Sequence, residues 1–150
     1  MPLQTATRRY WIPLAAQTLG AALLVWKSIP VYREFIEARI PDVPRGVLYA
    51  WAFIGMGLVH AAYWPNLRST PPVGPLPMPV LGHLVQFASR LGLVFVGAFF
   101  SVVFLIHYHR LDLDLERRLM ALLVLFAFFC YSKELDRLGL ALIDPPRRPE

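Results

Sequence analysis

Five polar residues set among apolar neighbours are the best placed to do chemistry: His60, His83, Gln86, Arg90 and Glu134. Three kinds of chemistry fit them. His60 and His83, on different helices, could supply two axial ligands to a b-type haem, with Arg90 beside a propionate. His, Gln and Arg could donate hydrogen bonds to a quinone or a lipid head group. His and Glu could pass a proton. A plainer role competes with all three: polar side chains inside an apolar bundle hold helices together. Nothing in the sequence requires a cofactor.

Spacing links these residues. At ~100° per residue, His83, Gln86, Arg90, Val94, Gly97, Ser101 and Tyr108 make one stripe about 80° wide. In an otherwise Leu-, Val- and Phe-rich helix, such a stripe is expected to face other helices, because a charge facing hydrocarbon is unfavourable. Arg90 and Glu134 each lie about 17 residues from the same end of their helices, roughly 25 Å at ~1.5 Å per residue. Matching heights predict that Arg90 faces Glu134. The alternative is an arginine that snorkels to head groups alone.

Other candidates read more simply. In His107-Tyr108-His109 the two imidazoles point to different helix faces, unlike the i, i+4 pair of zinc metalloproteases. Cys130 lies among phenylalanines and has no second cysteine to pair with. Asp112, Asp114 and Glu116 precede an apolar run and suit the start of a helix. The sequence contains no Walker loop, dinucleotide-binding glycine pattern, zinc-ligand spacing or nucleophile–base motif. No carboxylate is expected at mid-membrane, which counts against a cation-coupled pump.

The elements that must carry these residues are apolar runs. Spans are expected at 10–29, 46–64, 80–109 and 117–141, each near the ~20 residues that cross a ~30 Å hydrocarbon core or longer. The third, Val80 to His109, holds one arginine and an uncharged run from Leu91 to Ile106. Tyr10, Trp11, Trp51, Tyr63 and Trp64 suit interfacial anchors. Val31 to Arg45 reads as a loop with a short amphipathic helix, ended by Pro41 and Pro44. Pro65 to Pro79, with prolines at 65, 71, 72, 75, 77 and 79, reads as a non-helical connection, either plain or a strap for a partner. Residues 144–150 read as a frayed tail. No internal repeat or heptad pattern is evident.

Composition agrees. Of 150 residues, 57% are hydrophobic, above the roughly 45–50% of soluble domains. Unbroken apolar runs without alternation exclude a barrel and leave helices. The expected fold is therefore all-α: one domain, an integral membrane four-helix bundle of two helical hairpins joined by the Pro-rich loop. The net charge is +5, and the cations are spread among the loops, which argues against nucleic-acid binding and for anionic lipid at the rims. Four spans put both termini on one side of a bacterial inner or organellar membrane. The cations divide evenly between the sides, so the positive-inside rule sets no orientation. The expected role is non-enzymatic: an accessory, assembly or scaffold subunit whose partners are the bilayer and other membrane subunits or itself. A haem-, quinone- or head-group-binding protein using the five residues above is the alternative. A small oligomeric transporter is a further one.

Overall fold

The computed structural model describes residues 2–36, 45–74, 76–101 and 115–145. It is all-helical: α1 is Pro2–Ile36, α2 Arg45–Leu67, α3 Pro79–Ser101 and α4 Leu115–Ile143. Three stretches are long and apolar enough to cross a membrane: Arg8–Ile29, Gly46–Leu67 and Pro79–Ala98. α4 does not join them because Lys133, Glu134, Asp136 and Arg137 interrupt its apolar run.

α1 begins at Pro2, eight residues before the expected start at residue 10, and two helices run past prolines that were read as their ends. α1 continues past Pro30 to Ile36, where a loop was expected. Residues 37–44, with the rest of the expected amphipathic segment, lie outside the described residues. α2 runs through Pro65 to Leu67. A proline late in a helix forfeits one hydrogen bond and crowds one carbonyl, yet leaves the turns before it intact. At the other end of the connection Pro79 opens α3, where a missing N–H matters least. The connection is thus residues 68–78. It is tied down: the Met78 N–H bonds the Leu142 carbonyl at 2.8 Å, satisfying a carbonyl at the end of α4. The third expected span, 80–109, is described as far as Ser101, and the His107–His109 cluster lies beyond the described residues.

α4 is the centre of the structure. It packs on α1, α2 and α3, whereas among the described residues α3 packs on α4 alone. The arrangement is an α1–α2 hairpin, then α4, then α3 on the far side.

Each hairpin closes on a pair of glycines. A Cβ on Gly20 would stand 2.7 Å from the Gly55 carbonyl oxygen, and one on Gly82 would stand 2.7 Å from that of Gly139. Only hydrogen allows this approach, which brings the backbones close enough for extensive dispersion contact. Seven residues along from Gly82, the Ser89 hydroxyl donates to the Ser132 carbonyl at 2.7 Å. Seven residues back from Gly139 is Ser132, so the antiparallel register holds over two turns.

In α1 the buried residues Tyr10, Leu14, Gln17, Ala21 and Leu24 alternate steps of four and three. This is the seam of a left-handed helix pair, a heptad pattern not evident in the sequence. Hydropathy hides it because the outer faces are as apolar as the inner ones. Trp11, Ile12, Leu19, Val25 and Trp26 are all exposed on the same helix. On α3 and α4, Phe95, Phe126 and Phe129 are exposed as well. Phe100 is buried and Phe128 partly so.

The glycine contacts predict a sharp contrast. Gly139→Val would force α3 off α4 and lower stability by roughly 1–3 kcal/mol. A Cβ on Gly57 meets nothing within 4 Å, so Gly57→Ala is expected to be neutral or to stabilise by up to about 1 kcal/mol through helix propensity. Thermal unfolding of the purified variants checks both.

Candidate functional site

The described polar side chains converge where α1, α2 and α4 meet, around Glu134. Its side chain is completely buried, with 0% exposure. Each carboxylate oxygen has a partner. Asn66 Nδ2 donates to Oε1 at 2.9 Å, and Arg137 Nη1 donates to Oε2 at 2.9 Å. Arg137 Nη2 donates in turn to the Ser69 carbonyl at 2.8 Å. One carboxylate therefore joins the end of α2, the start of the proline connection and α4 itself. Glu134 and Arg137 are three apart on one helix and so share a face.

Local sequence explains how each partner arrives. α2 must continue past Pro65 for Asn66 to remain on the helix and turn inward. The Ser69 N–H bonds the Asn66 carbonyl at 2.9 Å, which closes the turn that presents the Ser69 carbonyl to Arg137. Bonds of this kind involve full charge and are stronger than neutral ones.

Three further polar groups are enclosed around this point. The Tyr10 hydroxyl lies near enough to Glu134 to feel its charge, but it makes no hydrogen bond of acceptable geometry. The Gln17 amide and Asn66 Oδ1 are likewise buried without partners among the described residues. Nearby, the Tyr131 hydroxyl approaches Thr18 Oγ1 at 3.2 Å.

The five residues singled out in the sequence are distributed as follows. Glu134 is at the centre of the site. Gln86 is half-buried, with its Cγ against Gly139 on the α3–α4 seam. His60 is half-buried and stacks on Phe126, ring centroids 5.4 Å apart. His83 and Arg90 are exposed on α3. The structure does not bring the five together: His83 and Arg90 are exposed on α3, whose backbone lies close to α4 alone among the described residues.

The expected Arg90–Glu134 pair is corrected on two counts. The face α3 turns to α4 carries Gly82, Gln86, Ser89 and Phe100, which is about 75° from the centre of the expected stripe at ~100° per residue. In the register set by Ser89 and Ser132, Arg90 stands level with Tyr131, about 4.5 Å short of Glu134 at ~1.5 Å per residue. Glu134 takes its cation from its own helix instead.

Asn66 and Ser69 escaped the sequence reading, and Tyr10, expected as an interfacial anchor, is instead fully buried in the core. The signal for Asn66 was a lone amide just past Trp64-Pro65, discounted because the proline was taken as a stop. Among the described residues no group of three or more His, Cys, Asp or Glu could hold a metal ion. Cys130 is buried in the core.

No protein-family model matches the chain, and neither a characterised protein nor a solved structure matches it.

Chemically, the arrangement is a latch. Glu134→Ala strands Arg137 and Asn66 and is expected to lower stability by roughly 3–5 kcal/mol. Arg90→Ala, at an exposed and unpaired position, should stay within about 1 kcal/mol. Denaturant titration of both variants checks the ordering, and equal losses would mean that Arg90 carries part of the pair after all.

Gln17 yields the opposite sign. An enclosed amide without a partner carries a desolvation penalty of roughly 1–3 kcal/mol, so Gln17→Leu should match or exceed the parent in thermal stability. A clear loss would show that the amide is hydrogen-bonded.

Proposed function

We propose that this is an integral membrane protein without a catalytic role, acting as a structural or assembly subunit of a larger membrane complex. The observation that carries the reading is the inversion of polarity. The completely buried side chains include Gln17, Asn66 and Glu134, while large apolar residues cover the outside. Water would reverse that distribution, and lipid favours it.

α4 completes the bundle as a fourth crossing in this reading. Its uncharged run Leu119–Ser132 is about 14 residues, roughly 21 Å at ~1.5 Å per residue. Its charged residues follow at one end, where Glu134 and Arg137 are already paired. Four crossings put both termini on the same side.

The subunit role is supported by α3. One side of it packs on α4, and the other presents Val80, Leu84, Phe87, Val94 and Phe95, with Val80 82% exposed. The polar atoms best suited to bind a ligand are spent on holding α2 and the proline connection to α4. A haem held between His60 and His83 draws no support from this arrangement, since His83 is exposed on α3 and the His60 ring is stacked on Phe126.

Native mass spectrometry after extraction in mild detergent tests the role. A reproducible assembly larger than one chain and containing other subunits is expected. A lone monomer under conditions that preserve known complexes of the same membrane would overturn it.

A further inference from the structure

Four contacts set the heights of cations that lie far apart in the sequence. The Asn66–Glu134 hydrogen bond levels the end of α2 with Glu134. Packing of Tyr10 and Leu14 on Leu138 brings the start of α1 to the same end of the bundle. The Ser89–Ser132 bond levels α3 with the residues just before Glu134. The Gly82–Gly139 contact repeats that register.

Arg8 and Arg9 therefore stand just outside Tyr10. Arg68 is two residues past Asn66, Arg90 follows Ser89, and Lys133 precedes Glu134. Arg68, Lys133 and Arg90 fall within about 8 Å of one another along the axis, and Arg9 and Arg8 stand on the same side roughly 10 Å beyond Glu134, so all five gather toward one end of the bundle. Every helix or its end contributes at least one, and all five are exposed. Trp11 and Trp64 are exposed within the band that these cations span, as the aromatic belt of a membrane would be.

Carboxylates to match them are scarce. Among the described residues at this end, Glu134 is buried and already bonded, Asp136 is half-buried, and Asp144 lies farther out on the end of α4. No ion pair joins Arg8, Arg9, Arg68, Arg90 or Lys133 to a carboxylate among the described residues. Lys133 has the Phe129 ring 5.9 Å away. Toward the opposite end, Lys27 lies over the Trp51 ring at 4.7 Å.

We propose that this collar of Arg8, Arg9, Arg68, Arg90 and Lys133 binds the phosphates of anionic phospholipids. The proposal rests on the membrane-embedded reading. It explains Arg90, which stands on an otherwise apolar outer face between Phe87, 61% exposed, and Val94, 67% exposed. Such a side chain extends toward the head groups and gains from meeting an anion there. A second copy of the chain is a poorer occupant, because its own carboxylates at this end are buried or partly buried.

The test uses the full chain purified in neutral detergent and titrated with phosphatidylglycerol or phosphatidylcholine, with bound lipid counted by native mass spectrometry. Phosphatidylglycerol should bind more tightly. Arg8→Gln, Arg9→Gln, Arg68→Gln and Arg90→Gln should each weaken it by about five-fold, from ~1 kcal/mol per cation near an anionic surface. Phosphatidylcholine binding should not change, and Arg90→Lys should retain most of the preference. The variants are read singly, so one that fails to fold leaves the others. Equal affinity for the two lipids, or a preference that survives all four substitutions, overturns the collar. Reconstitution into phosphatidylcholine vesicles separates the two readings. A chain washed off by alkaline carbonate overturns the membrane reading and the collar with it. A chain that stays inserted without preferring phosphatidylglycerol overturns the collar alone.

Discussion

A carboxylate with no exposure must find its partners inside the protein, and Glu134 does so with Asn66 and Arg137. Much of the structure's organisation follows from that constraint. Asn66 can reach only if α2 passes Pro65. Arg137 can hold the Ser69 carbonyl only if the chain turns straight after α2. The proline connection must then cross to α3 near the end of α4, where Met78 bonds the Leu142 carbonyl. Leaving either partner out would strand charge in a place where neither water nor lipid could compensate it.

The helix that carries this carboxylate is also the hub of the fold. α4 meets the other three helices, yet its composition is the least like a membrane span. These facts share a cause. A helix surrounded by protein on several sides can keep charged and polar groups, because neighbours supply their partners. A peripheral helix such as α3 must present apolar residues to its surroundings on most of its circumference. Uniform apolarity therefore marks the edge of this structure, and mixed character marks its centre.

The two hairpins use the same device with different chemistry around it. In α1–α2 the glycine contact sits beside Leu24 and Val59, in an apolar seam. In α3–α4 it sits beside Gln86, two turns from the serine bond. Close backbones and short hydrogen bonds hold each pair together beside a small apolar core. The long apolar side chains are left for the outside.

Helix type, the four helices of the described residues and the existence of a proline-rich break between two hairpins were legible in the sequence. They depend on composition over twenty or so residues, which no tertiary contact changes. Glu134 was legible as a candidate, because a charge beside an apolar run needs a partner wherever it lies. Its partners were not. Wheel arithmetic turned α3 by about 75°, since it assumed that the polar stripe faces inward, whereas glycine contacts and one serine set the actual rotation. Asn66 was lost because a proline ends helices only on average. Which faces meet, at what height, and which cation neutralises which anion were decided by packing. That is the level at which one residue of register or rotation separates Arg90, exposed and unpaired, from Arg137, bonded to Glu134.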